Sequence, residues 1–379
     1  MQPQLVTDPA ALRELTIRLA RAPRIALDTE AASFHRYADR VYLVQVSSDH
    51  ETALVDPLAV PDLSPLGTLL ASDRVEVVIH DADYDLRILD RDYGFRARRV
   101  FDTRVAAQLL GEPAVGLAAL LEQYFGVSLD KKLQRADWSV RPLTPEMITY
   151  AAADTMYLPK LRDLLADRLD AAGRTAWAQE EFRHLEDVRW TAPPTEEGWL
   201  RLKGAKILPR RAQAVLRALH GWREQTARAL DRPPFRVIQN ESLLAIARAV
   251  PRNQRELLAV RGLAASVARR YGAQLLAALE MGLADPMDNL PVPTRGTRPR
   301  PDPAAEARLE RLKALRNQRA QELGLEPGVL CPNGALQAVA RMAPATVAAL
   351  EAIEELRRWQ IAALGPAAML AAAAGAGTQ

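Results

Sequence analysis

Apolar and polar residues alternate with two different periods along this chain of 379 residues. In the first part the apolar runs are short. Ile25-Ala26-Leu27 in RIALDTE, then VYLVQVSS, then TALVD, read as three strands separated by turn-like breaks. A helix is predicted near 64–72, a strand in VEVVIH and a helix over about 82–92. A short strand at VFD and mostly helical sequence to about 190 follow. Three hairpin-connected strands followed by a βαβα order predict a mixed sheet. Pattern alone supports an α/β class for this part. Near Ala192-Pro193-Pro194 the period becomes helical throughout.

Proline divides the helical part. NLPVPTRGTRPRPDP is the centre of a segment that reads as an extended linker. The expected organisation is therefore an α/β domain over 1–192, a helical domain over 193–285, a Pro/Arg-rich linker over 286–303, a second helical domain over 304–374 and a tail over 375–379. The two helical domains repeat one plan. Each runs helix, proline-containing turn, a helix of xxL-xxIA or xxL-xxVA type, a proline, then two further helices. The second copy is degenerate. Leu315-Arg316 stands where the first has Trp222-Arg223, and no counterpart of Arg270-Tyr271-Gly272 appears.

Composition narrows the classes. The one cysteine, Cys331, rules out an intrachain disulfide and argues against a cysteine zinc site, which fits a reducing cytosol. The N-terminus lacks a basic segment followed by an apolar core, and no long uncharged apolar run suggests a membrane span. A cytoplasmic location and no membrane partner are the expectation. Net charge is only +3, but its distribution is uneven: −7 over 1–192, +8 over 193–285 and +2 over 286–379. An acidic module beside a basic one suggests a polyanion held by one part and acted on by the other.

The acidic module carries the candidate chemistry. Asp28 and Glu30 follow an apolar strand and, two apart, share one of its faces. Asp85 lies on the first turn of the helix after VEVVIH. Tyr150 and Asp154, four apart in YAAAD, lie one helical turn above each other. Four converging acids without partners would repel one another and raise each other's pKa values. Divalent cations remove the conflict, and oxygen ligands suit Mg²⁺ or Mn²⁺. Paired metals are an established means of phosphodiester cleavage.

In order and context these motifs resemble the DEDD superfamily of 3′→5′ exonucleases, in the branch that uses tyrosine, and within it the bacterial ribonuclease D family. The stretch Leu129–Thr144, LDKKLQRADWSVRPLT, precedes the tyrosine helix as it does there. The repeated helical modules resemble HRDC domains, and two of them after an exonuclease is the ribonuclease D arrangement. The resemblance implies a ribonuclease H-like exonuclease fold followed by two all-α bundles. It implies that Asp28, Glu30 and Asp154 hold the ion that activates water, with Asp28 bridging to a second ion shared with Asp85. It selects Asp85 over Asp81 and Asp83 because the family's acid lies five residues after the histidine that ends the strand, here His80. Asp81 stands where relatives often have asparagine or glycine. The implied substrates are tRNA precursors and other stable RNAs, cut by a monomer to nucleoside 5′-monophosphates.

Other residues carry weaker signals. Lys131, Lys132 and Arg141, in the loop before the tyrosine helix, are candidates for phosphate contact, with Trp138 packing beneath it. Lys206, Arg210 and Arg211 at the start of the first helical module are candidates for holding RNA. His80 reads as a packing or hydrogen-bonding residue, and Asp102 as a helix cap. Tyr150 could act as an acid–base group, which needs a lowered pKa, or could orient water; orientation is the reading adopted. A DNA exonuclease and a non-catalytic RNA-binding protein are the rival functions; the second would normally have lost a metal acid. A chain ending near Ala192 is expected to fold by itself.

Overall fold

Ile25, Ala26 and Leu27 are completely buried, and the strand they build is central to the sheet. The computed structural model describes residues 2–130, 132–192, 198–286, 290 and 302–374. Its strands are β1 (Gln4–Val6), β2 (Arg24–Ala31), β3 (Val41–Ser47), β4 (Thr52–Val55), β5 (Glu76–Ile79) and β6 (Val100–Asp102). They lie in the order β1-β4-β3-β2-β5-β6. β3 and β4 are antiparallel, whereas β2, β5 and β6 run parallel. The mixed α/β sheet expected from the sequence is present.

One strand was not legible. β1 pairs in parallel with β4, so the chain must cross over through helix α1 (Pro9–Leu19) first. Three residues are too few to show a period. The helix itself starts on Asp8, whose carboxylate accepts from the Ala10 and Ala11 amides at 3.0 and 2.9 Å. Helices α2 (Ser64–Leu70), α3 (Asp83–Tyr93), α4 (Thr103–Leu109), α5 (Leu117–Phe125), α6 (Pro145–Met156), α7 (Leu158–Ala171) and α8 (Thr175–Glu186) complete this part.

The first helical module contains α9 (Arg210–Ala229), α10 (Pro234–Val237), α11 (Asn240–Ala249), α12 (Gln254–Leu258) and α13 (Ala265–Ala284). α9 and α13 approach closely at Gly282, where an added Cβ would meet the Val215 Cα at 2.5 Å. The second module contains α14 (Pro303–Leu323), α15 (Pro327–Leu330), α16 (Asn333–Met342), α17 (Val347–Glu351), α18 (Arg358–Leu364) and α19 (Pro366–Ala374). The repeat survives in its polar core. Arg223 and Arg316 are both buried, and each donates to an asparagine that opens the next long helix, Asn240 at 2.6 Å and Asn333 at 2.7 Å. Both of those helices end in a left-handed residue, Val250 and Ala343.

The chain forms two compact units. One consists of the described residues of Met1–Glu30, Val41–Trp190 and Pro299–Gln379; the other of those in Ala31–Arg40 and Thr191–Arg298. The second helical module therefore belongs to the sheet-bearing unit, and a single hydrophobic core runs from Val78 and Phe101 through Leu161 and Phe182 to Leu336 and Met369. The junction is specific. The Glu180 carboxylate accepts from the backbone amides of Arg358 and Trp359 at 2.7 and 2.9 Å, which caps α18 from outside. Trp359 stacks on Trp177 with centroids 4.8 Å apart and donates its indole N–H to Glu181 at 2.7 Å. Arg174 ties the Leu109 carbonyl to that of Leu323.

A chain cut near Ala192 would expose this core, so the expectation of independent folding gives way to a shared one. Trp359→Ala should cost about 3–5 kcal/mol, the range for deleting a large buried aromatic. Sheet and C-terminal helices should then lose structure together, in one transition at a lower midpoint. Far-UV and near-UV circular dichroism on heating would check this. Two separated transitions, with the sheet's unmoved, would show two independent cores.

Candidate active site

β2 outruns its neighbour. Its pairing with β5 covers Arg24 to Ala26, and β5 ends at Ile79, so Asp28 and Glu30 project past the carboxyl end of β5. Leu27 and Thr29 are buried while Asp28 and Glu30 are partly open, as strand alternation requires. α6 supplies the facing acid. Thr144 caps it through the Met147 amide at 3.2 Å, and Pro145 opens it. Tyr150 and Asp154 then fall on one side. α6 is pinned to the sheet by a buried bond of 2.7 Å between the hydroxyls of Ser47 on β3 and Thr155.

The result is a cluster. Asp28, Glu30 and Asp154 each offer a carboxylate oxygen within 4.8 Å of the others. Asp85 lies outside that trio and is buried; its carboxylate accepts a short hydrogen bond from the Thr29 hydroxyl. Gln45, fully buried on β3, donates to Asp28 at 3.4 Å. The electrostatics are lopsided. Burial, then Asp154, push the Asp28 carboxyl up to about 8. Burial, then Asp28, Asp154 and Asp85, raise Glu30 well above the usual range. Burial and Asp28 do the same to Asp85, and burial takes Asp154 to about 7. Among the described residues, no lysine or arginine is among the groups acting on these four carboxylates. Clustered acids with no counter-ion among the described residues either keep protons or take up an external cation. A hard, all-oxygen donor set fits a divalent cation such as Mg²⁺ or Mn²⁺.

Tyr150 is half-buried. Burial first, then Asp154, Glu30 and Asp28, push its phenol above its ordinary value. A phenol shifted upward keeps its proton, so it is suited to orienting water and not to taking a proton from it. On one side Tyr150 borders a cavity of about 460 Å³ with Leu129, Leu133, Thr149 and Asp154. On another it meets the ring of Trp138, centroids 5.9 Å apart.

The turn that delivers Asp85 has its own support. Asp102 caps α4 through the amides of Arg104 and Val105, and also accepts from the amides of Asp81 and Ala82 at 3.1 and 2.8 Å. Asp81 sits at φ 67°, in the region where asparagine, aspartate and glycine are tolerated. That accounts for the residue types expected there. Its carboxylate is paired with Arg104 at 2.6 Å, so its charge is neutralised locally. His80 bonds the Thr103 hydroxyl at 2.9 Å, and burial and Arg104 lower it to about 4; it is a packing residue here.

The basic candidates divide. Arg141 does not offer itself to phosphate. Its Nε and Nη2 reach the two carboxylate oxygens of Asp56 at 2.6 and 2.8 Å. Its remaining N–H groups go to the carbonyls of Tyr42, Trp138 and Val140 at 2.7 to 2.8 Å. A guanidinium has five N–H donors, and all five are spent within the protein. Arg211 caps α13 through the carbonyls of Leu283 and Asp285, and Arg210 donates to the Leu290 carbonyl. Lys132 is exposed beside Asp130 at 3.3 Å, and Lys206 is exposed on the turn Ala205–Ile207. Lys131 lies outside the described residues.

Sequence reasoning missed Thr29, Gln45 and the Ser47–Thr155 pair. The available signal was polarity inside apolar runs: Gln45 interrupts VYLVQV, and Thr29 lies between the two acids.

Similar proteins carry the same parts. A family described as 3′-5′ exonuclease matches residues 3–170, and the HRDC domain family matches 212–279 and 305–372. The chain is 36% identical to the ribonuclease D of Gluconacetobacter diazotrophicus, covering 82% of this chain and 80% of that one. It is 34% identical to the Escherichia coli ribonuclease D, covering 77% and 78%. The crystal structure of Escherichia coli RNase D, described as an exoribonuclease involved in structured RNA processing, superposes over all of both chains with a TM-score of 0.75 at 28% identity. A structure from Bifidobacterium adolescentis superposes with a TM-score of 0.84 at 25% identity, covering 99% of this chain and 97% of that one.

Proposed function

Because the chain belongs to the ribonuclease D family and is a 3′→5′ exoribonuclease that uses divalent metal, we propose that it trims the 3′ ends of tRNA precursors and other structured RNAs in the cytoplasm, as a monomer, releasing nucleoside 5′-monophosphates one at a time. The observation that carries the chemistry is the trio Asp28, Glu30 and Asp154 within 4.8 Å, with no cationic side chain among the described residues acting on it.

In this reading Asp28, Glu30 and Asp154 would hold one ion, and Asp28 with Asp85 would hold the other, Mg²⁺ or Mn²⁺. When bound, the ions lower the pKa of an attacking water and stabilise charge on the leaving 3′ oxygen. Tyr150 keeps its proton and aligns the water for in-line attack on the terminal phosphodiester. Gln45 fixes the Asp28 carboxylate and Thr29 fixes that of Asp85, so neither must reorganise as the reaction proceeds. The cavity beside Tyr150 has the size to admit a terminal nucleotide. Lys132 and Lys206 remain as exposed cations for phosphate contact.

The test is digestion of a 3′-extended tRNA and an equal-length single-stranded DNA, with and without chelator. Metal-dependent shortening of the RNA, with 5′-monophosphate products, is the expected result. Equal or faster loss of the DNA would favour a DNA exonuclease instead.

A further inference from the structure

We infer that Arg141 and Trp138 are positioning residues for Tyr150: the guanidinium locks the loop that seats the indole, and the indole backs the phenol. The inference rests on the reading of Tyr150 as the group that aligns water.

Tyr150 needs backing. Its ring borders an open cavity, and one turn of α6 fixes only its Cα. A phenol free to swing into the cavity would misplace its hydroxyl, and misplacement by about 1 Å can cost on the order of 10²-fold. Trp138 is 1% exposed and lies against the Tyr150 ring at 38°. Its indole N–H is buried with no hydrogen-bond partner among the described residues. No polar anchor therefore orients this ring. It is held by packing and by its backbone.

Arg141 holds that backbone. It reaches from the loop to Asp56, just past the end of β4, and to the Tyr42 carbonyl on β3, while two of its donors return to the carbonyls of Trp138 and Val140. The Asp56 partner is nearly buried. Burial would raise its carboxyl, yet the hydrogen bond from Arg141, then the Leu58 amide, hold it below the usual carboxylate range. Asp137 closes the turn, accepting from the Ser139 amide at 3.2 Å and from its hydroxyl. The sheet thus fixes the loop, the loop fixes Trp138, and Trp138 limits Tyr150. No step in this chain involves a metal ligand.

The experiment is a double-mutant cycle on the full-length protein, using single-turnover cleavage of a short single-stranded RNA at saturating Mg²⁺. Trp138→Leu should slow cleavage about 10-fold or more, with KM and Mn²⁺ affinity within about twofold of wild type. Trp138→Phe, which keeps an aromatic backing, should recover most of the rate. In the Tyr150→Phe background, Trp138→Leu should change the rate by less than about twofold, because there is no hydroxyl left to position. If Trp138→Leu does not fold, Arg141→Lys takes its place in the cycle, since lysine cannot make the five-donor fork. A wild-type rate for Tyr150→Phe would overturn the reading of Tyr150 and this inference with it. A slowed Tyr150→Phe, with the second substitution's effect undiminished, would overturn this inference alone.

Discussion

Asp28→Asn should lower cleavage by on the order of 10³-fold or more, about 4 kcal/mol of barrier, while RNA retention changes little. Asp28 is the acid in common to the whole cluster: it lies within the trio with Glu30 and Asp154, and after burial it is the charge that raises Asp85. Asparagine preserves the shape but removes the charge on which both proposed cation positions depend. Affinity should survive, because the basic excess lies in residues 193–285. The same substitution should act on stability in the opposite direction. The Asp28 carboxyl stands near 8 in the folded metal-free protein and near 3.8 in an unfolded chain. A carboxyl raised on folding leaves stability highest below the unfolded value and erodes it as pH climbs through the folded one. Metal-free wild type should therefore weaken between about pH 4 and 8, and Asp28→Asn should weaken less. Filter retention, single-turnover cleavage and melting in chelator across that pH range check the three parts. Near-wild-type cleavage would remove Asp28 from the metal set.

Tyr150→Phe should slow cleavage about 10²- to 10³-fold, equivalent to roughly 3–4 kcal/mol, without loss of metal affinity. Only the hydroxyl is removed, and the ring still meets Trp138. Because the phenol is shifted upward and stays protonated, wild-type activity should show no loss of rate assignable to a tyrosine losing its proton near neutral pH. Single-turnover rates for both proteins from pH 6 to 9, with metal binding measured by calorimetry, test this. A matching rate would make Tyr150 a packing aromatic.

Much of the candidate site was legible because its residues obey local periods. Asp28 and Glu30 follow from strand alternation, and Tyr150 with Asp154 from one helical turn. Asp85 was not singled out by local pattern, since Asp81 and Asp83 fitted a helix start equally and only the resemblance chose it; in the structure Asp81 pairs with Arg104 and Asp83 with Arg87, while Asp85 is buried beside Thr29. Arg141 was misread for a physical reason. A cation on a loop near an acidic site suggests phosphate, whereas its true partners, Asp56 and the Tyr42 carbonyl, come from distant parts of the chain. Strand β1 was hidden for the same reason: its partner β4 lies beyond α1 and two other strands. The helical repeat was legible in outline, but nothing local showed that the second copy shares the sheet's core.

That shared core sets an order of events during synthesis. The sheet and α1 through α8 emerge first, but the apolar surface around Trp177 is covered only when Trp359 and its helices arrive. More than a hundred residues intervene; at roughly 5–20 residues per second the delay is on the order of ten seconds. For that interval the sheet-bearing half carries an uncovered apolar surface. The helices that close this core, α14 to α19, are made well after the sheet whose apolar surface they cover.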